Sequence, residues 1–223
     1  MAFMQAAHFF RLAQQAFMKF NSDSSLQPIR DALLPVQIED GSDAVQREGQ
    51  RAAAVLVPLV KRAGEWQVIL TQRPQTMPQH AGQISFPGGK RENDEPVKMT
   101  ALRETQEEIG VGADDVEIIG RLPSFNAVSQ YRITPFVGIV SPQAVIAPDA
   151  REVEDVFEVP LDFFMSADNH VLREVMYNGK NHRLFDMPYD APDGRHRNVW
   201  GITAMMLYRL YQRSYLGVFE VDY

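Results

Sequence analysis

GKRENDEPVKMTALRETQEEIGV, residues 89–111, sets an arginine and three glutamates on two turns of one predicted helix. Val97, Ala101, Leu102, Thr105 and Ile109 supply its apolar or small positions, so a helix over 97–109 buries one face. Glu104 and Glu108 are four apart, and Glu107 lies between them around the axis. At 3.6 residues per turn the three carboxylates fall within roughly 100° of arc. Like charges at i,i+4 destabilise a helix by roughly 0.2–0.5 kcal/mol per pair. Such an arc is either a solvated acidic face or a set of hard oxygen ligands for Mg²⁺ or Mn²⁺. The adjacent glycine loop brings backbone close to the helix start, because glycine has no Cβ.

The segments on either side predict strands. AAAVLVPLV (52–60) reads as a buried strand, KRAGE as a turn and WQVILTQR (66–73) as its hairpin partner. GQISFPGGK (82–90) is a short strand running into the glycine loop. VEIIGRLP (116–123) and ITPFVGIV (133–140) are further strands, and residues 151–165 pass from strand or loop into a short helix. HVLREVMYNGKNHRLFDMPY predicts a β-hairpin turning at Asn178-Gly179, and VWGITAMMLYRLYQR (199–213) a second helix. The order predicts an α/β fold, a mixed sheet flanked by helices.

Upstream, Phe3, Phe10 and Phe17 form one heptad series and Ala6, Ala13 and Phe20 another, which predicts an amphipathic helix over 3–20. It packs on its own domain or forms a homodimer contact. NSDSS (21–25) reads as a loop, residues 28–50 as a short helical piece followed by a polar linker. The chain thus divides into an N-terminal helical extension and linker (1–50) and a main domain (51–223).

Composition narrows the function. The chain has 223 residues, of which 45% are hydrophobic, enough for a sizeable core. With no cysteine there is no disulfide framework, thiolate metal site or thiol nucleophile. A net charge of −7 argues against nucleic acid as the partner. No apolar run approaches the roughly 20 residues of a membrane span. The N-terminus lacks the basic start of a secretory signal, although Arg11 and Lys19 without any acid suit a transit peptide, and FEVDY is no peroxisomal address. The expectation is a cytoplasmic protein with no membrane partner.

Read as a pattern, residues 89–111 run Gly, five residues, Glu95, seven residues, Arg103-Glu104, Thr105, one residue, Glu107-Glu108, one residue, Gly110-Val111. This resembles the box of the Nudix hydrolase family, and Thr105 at an aliphatic position is the single departure. The resemblance implies an α/β/α sandwich around a mixed β-sheet, a Mg²⁺ or Mn²⁺ cofactor and a small-molecule nucleoside diphosphate substrate. It makes Glu104 and Glu108 the principal metal ligands and Glu107 a third. Gly88 or Gly89 offers a carbonyl, and Arg103 orients a carboxylate by a charge-assisted fork. Glu95 has a largely structural family role. Bound metals would neutralise the diphosphate, polarise it and lower the pKa of the attacking water.

A second stretch, ILTQRPQTMPQHAGQISFPGG (69–89), resembles the signature of the coenzyme A pyrophosphatase subgroup at Leu70, Thr71, Arg73, Gly82 and Phe86 to Gly89. Pro74 stands in place of Ser or Ala, and Pro78 in place of a second Arg, so a cation for a substrate phosphate is missing. Arg73 and His80 are the candidate substrate contacts. LPSFNAVSQYRITPFVG (122–138) also resembles the subgroup, with Gln130 where a glycine is expected. The family often draws a catalytic base from a loop acid after the box, and Glu152, Glu154 and Asp155 are the candidates. Coenzyme A or an acyl derivative is the first expected substrate, with ADP-ribose, NADH or another nucleoside diphosphate derivative as alternatives. A non-catalytic ligand-binding regulator of the same fold would be expected to lose box carboxylates, and this chain keeps all of them.

Overall fold

The computed structural model describes residues 24–37, 49–77, 80–127, 130–177 and 179–218. The amphipathic helix expected over 3–20, Pro78, and Asn178 of the expected hairpin turn lie outside the described residues. Two strands, β1 (Arg51–Arg62) and β2 (Glu65–Gln72), form the expected hairpin around Ala63-Gly64. Then come β3 (Ile84–Ser85), β4 (Gly88–Lys90), β5 (Val116–Arg121), β6 (Phe125–Asn126), β7 (Tyr131–Val140) and β8 (Asp155–Pro160). Their sheet has the order β3-β2-β1-β7-β5, with β4 on β1, β6 on β7 and β8 on β2. It is mixed: β1 and β7 run parallel from Arg51↔Tyr131 to Val60↔Val140, and the other pairs are antiparallel. A smaller antiparallel sheet joins β9 (Val171–Tyr177), β10 (Lys180–Asp190) and β11 (His196–Trp200).

The helices are α1 (Gln27–Ala32), α2 (Val97–Ile109), α3 (Leu161–Phe164) and α4 (Gly201–Tyr215). None of the described helices is long and apolar enough to cross a membrane. Alternation along β1 decides which layer meets which face. Ala54 and Leu56 pack with Phe136 under Ala101 of α2, while Val57 and Leu59 face the opposite side. There they meet Leu26 and Ile29, α4 through Ala204, Met206, Leu207 and Leu210, and Met187 and Val199 of the smaller sheet. The α/β/α layering follows from β1 burying both faces.

Two expectations change. The segment expected to begin a helix at Val199 is a strand to Trp200, and α4 starts at Gly201. Arg197 and Val199 are buried and alternate with exposed His196, half-buried Asn198 and exposed Trp200, so a period of two carries the strand. Ser24 and Ser25 belong to a short 3₁₀ turn rather than a loop. The helical piece α1 is sewn into the core: Leu26, Ile29 and Ala32 are buried, Arg213 Nε donates to the Ala32 carbonyl at 2.7 Å, and Trp66 Nε1 to Ser25 Oγ at 3.0 Å. Truncating Ile29 to Ala is expected to cost about 2–4 kcal/mol of stability, because the site is fully enclosed. Denaturant unfolding checks this; a cost under about 1 kcal/mol would mean that α1 is not part of the cooperative unit.

Candidate active site

The site is built where α2 crosses β4. β4 pairs with β1 through Ala54↔Gly89 and Val55↔Gly88 and lies against α2. A Cβ on Gly89 would overlap the Glu104 carboxylate, so only glycine leaves that carboxylate its seat. Helix α2 spans the expected residues and ends at Gly110 in the left-handed conformation, φ 74°. Thr105 is fully buried and returns its hydroxyl to the Ala101 carbonyl at 2.7 Å, so it fills the aliphatic position without an unpaired polar group.

The three box carboxylates face different surroundings. The Glu107 side chain is 56% exposed, that of Glu104 13%, and Glu108 as a residue only 4%. Burial pushes the Glu108 carboxyl up to about 8, and the neighbouring Glu104 and Glu152 charges add to the rise. The Arg73 charge and a hydrogen bond from the Gly88 backbone oppose it. Glu104 is also raised, by burial first, against the pull of Arg103 and with Glu107 and Glu152 adding.

Arg103 is the organiser of the outer rim. Its Nη2 donates to Glu95 Oε1 at 2.9 Å and to the Lys90 carbonyl at 3.1 Å. Its Nη1 donates to Glu104 Oε1 at 3.0 Å and to Glu107 Oε2 at 2.9 Å. The bond with Glu95 raises the Arg103 pKa and lowers that of Glu95. Glu95 therefore acts as an anchor for the arginine, and Pro96 stands just ahead of the first turn, its carbonyl accepting from the Met99 N–H at 2.7 Å.

Among the described residues no three His, Asp or Glu side chains gather closely enough to hold an ion by themselves as they stand. Two of the three box carboxylates are engaged by Arg103. The donor set nevertheless fits a divalent cation. Two inward carboxylates, one almost completely buried and forced towards protonation, lie beside a glycine strand that no Cβ fills. A cation is the natural relief for that repulsion.

The other predicted residues divide. Arg73 is half-buried and close enough to Glu108 for its charge to act there, and its N–H donates to the Gln83 carbonyl at 3.0 Å. His80 stands at the exposed tip of the same loop with φ 58°. Of the loop acids, Glu154 Oε2 accepts from the Gln75 N–H at 3.3 Å, and Asp155 Oδ2 accepts from Arg195 at 3.0 Å and Arg197 at 2.6 Å. Glu152 is exposed, and its charge reaches both Glu104 and Glu108. Its loop is stitched to the end of α2 by Ala147 N–H to the Ile109 carbonyl at 2.8 Å and Asp149 N–H to the Glu108 carbonyl at 3.0 Å. The sequence carried no signal for those two bonds, because both use only main-chain atoms.

The chain belongs to the Nudix hydrolase family: the NUDIX domain model matches residues 50–182. It is 35% identical over 162 residues to "Uncharacterized Nudix hydrolase NudL" of Pectobacterium atrosepticum, covering 72% of this chain and 81% of the relative. The protein of that name from Yersinia pestis is 35% identical over 164 residues, covering 73% and 79%. Among solved structures, a MutT/nudix family protein from Enterococcus faecalis aligns with a TM-score of 0.49 and 18% identity over 77% of this chain and 64% of that one. Nudix hydrolases act on small nucleoside diphosphate derivatives and generally use divalent cations such as Mg²⁺ or Mn²⁺.

The strained carboxylate gives a stability test. A raised folded-state pKa means that the folded protein binds the Glu108 proton more tightly than the unfolded chain does. Its contribution is full below the unfolded value of 4.5 and is lost as pH rises through about 8. In chelator, Glu108→Gln should therefore be more heat-stable than wild type at pH 8, by roughly 5 °C, with the gap closing towards pH 4.5. Added Mg²⁺ or Mn²⁺ should raise the Tm of wild type and leave that of the variant nearly unmoved. Equal Tm values in chelator at pH 8 would contradict the burial of an ionised Glu108.

Proposed function

We propose that this protein is a metal-dependent hydrolase that cleaves the diphosphate linkage of a nucleoside diphosphate derivative. The first substrate is coenzyme A or an acyl-coenzyme A, giving 3′,5′-ADP and 4′-phosphopantetheine or its acyl form. The observation that carries the hydrolase reading is the buried Glu108 carboxylate set beside Glu104 at the Gly88–Gly89 strand. When bound there, Mg²⁺ or Mn²⁺ supplies charge neutralisation, Lewis-acid polarisation and a lowered water pKa. Glu104 and Glu108 would hold the cation, Glu107 would serve it from the solvent edge, and Gly88 or Gly89 would add a main-chain oxygen. Arg103, fixed by Glu95, aims the Glu104 and Glu107 carboxylates.

Glu152 is the proposed base, since Glu154 and Asp155 are already engaged by Gln75 and by Arg195 and Arg197. It takes a proton from water as the water oxygen bonds to one phosphorus. The bond from that phosphorus to the bridging oxygen breaks, and the bridging oxygen leaves on the other phosphate. Arg73 contributes positive charge to the diphosphate or to a further phosphate of the substrate.

Phe86 to Gly89, Arg73 and Gly82 support the coenzyme A assignment. Pro74 and Pro78 favour ADP-ribose or NADH instead, because they stand where the coenzyme A signature has a small residue and a cation. A panel of coenzyme A, dephospho-coenzyme A, ADP-ribose and NADH with Mg²⁺ or Mn²⁺, with products identified by mass, decides between them. No turnover of any diphosphate would refute the hydrolase.

Glu108→Gln should lower kcat by well over tenfold while the protein stays folded, since a tenfold loss is only about 1.4 kcal/mol. If Arg73 meets the 3′-phosphate, Arg73→Ala should reduce kcat/KM for coenzyme A by about tenfold to a hundredfold. Dephospho-coenzyme A should lose much less. Equal losses on both would mean that Arg73 acts on the diphosphate or on the fold.

A further inference from the structure

We infer that Arg197 is a positioning residue for Glu152, acting through Asp155 at the start of β8; the inference rests on the hydrolase reading above. Arg197 lies on β11, in the smaller sheet, yet is only 3% exposed. Its Nη1 donates to Asp155 Oδ2 at 2.6 Å and its Nη2 to Asp193 Oδ2 at 3.2 Å. The guanidinium lies 3.8 Å from the ring centroid of Phe157, and Nε is buried with no partner among the described residues. A buried ion pair is a poor source of net stability, because desolvation offsets the attraction and an apolar replacement of similar volume is often no worse. What a buried guanidinium shared between the Asp155 and Asp193 carboxylates does supply is a fixed direction.

Asp155 is one end of a short bridge. The other end is sewn to α2 by the Ala147 and Asp149 main-chain bonds to Ile109 and Glu108. Between the anchors, the Glu152 N–H closes a turn on the Asp149 carbonyl at 2.9 Å, Val153 is buried, and the Glu154 N–H reaches the Gln72 carbonyl at 2.8 Å. Asp155 is three residues from Glu152, so at most about 10 Å of chain separates them. Arg195 also reaches Asp155 Oδ2, but from a side chain that is 59% exposed. The buried Arg197 is the rigid partner. A displacement of about 1 Å at a reacting group can cost about a hundredfold in rate. Loosening Asp155 therefore acts on turnover ahead of binding.

The test is a double-mutant cycle measured as kcat and KM with Mg²⁺, using coenzyme A and ADP-ribose as probes. Arg197→Lys and Asp155→Asn are each made alone and with Glu152→Gln. Each single variant should lower kcat by about tenfold with KM within about twofold, and neither should lower kcat further once Glu152 is Gln. With Glu152→Gln impaired, losses that multiply, or wild-type kcat in both single variants, overturn the inference alone. Wild-type kcat in Glu152→Gln overturns the base assignment, and the inference with it. If Arg197→Lys does not fold, Asp155→Asn, which keeps the side-chain shape, carries the cycle. Failure of both to fold identifies the pair as a structural strut and overturns the inference.

Discussion

The structure turns on one unfavourable placement, the carboxylate of Glu108 taken out of water beside that of Glu104. A helix would ordinarily direct such a residue to solvent. Here the apolar face of α2 fixes the rotation: Ala101, Leu102, Thr105 and Ile109 have to face the sheet, and Glu108, next to Ile109, goes in with them. The surroundings then answer the charge. A backbone N–H comes from Gly88, positive charge from Arg73, and room for Glu104 from the missing side chain of Gly89. A glycine strand, a box helix and a basic loop residue, far apart in chemical type, satisfy one electrostatic requirement.

The two loops that flank this group are not independent of each other. The Gln75 N–H donates to the Glu154 carboxylate, the Glu154 N–H to the Gln72 carbonyl, and the Arg73 N–H to the Gln83 carbonyl. The Arg73 loop and the Glu152 loop thus share strand β2 as a common rail. The β10–β11 turn grips the same place through Arg195, Arg197 and Asp193. The Arg73 and Glu152 side chains are thus held to one backbone, so their separation is a property of the sheet rather than of either loop.

The parts of this arrangement that repeat at a fixed period were readable in the sequence. The helix over 97–109 was found to the residue, because its small and apolar positions mark one face. The hairpin of β1 and β2 followed from a buried apolar run and a second strand on either side of the KRAGE turn. What stayed hidden depends on contacts distant in sequence. Residues 27–32 look too short and polar for a core helix, and only the facing Val57, Leu59 and α4 show that Ile29 is enclosed. Arg197 reads as one charge in a polar segment, and nothing local says that its strand turns it onto Phe157 and Asp155. Among the three loop acids, spacing alone could not show that Glu154 and Asp155 are held by Gln75 and by Arg195 and Arg197.

The parallel pairing of β1 with β7 joins residues 80 positions apart, Arg51 with Tyr131, and α2 rests across both strands. Such a pair has high contact order, and its loop closure precedes the contacts that reward it. During synthesis at about 5–20 residues per second, β1 emerges several seconds before the strand that covers it. Through that interval its Ala-Val-Leu run is sheltered by β2, β4 and α2 but not along the edge that β7 will pair. The acidic helix is made in the meantime, but its seat is incomplete until β7 arrives. Completion of the site is therefore a late product of folding, and a chain stalled before residue 131 carries the whole acidic box helix with only β1 and β4 beneath it.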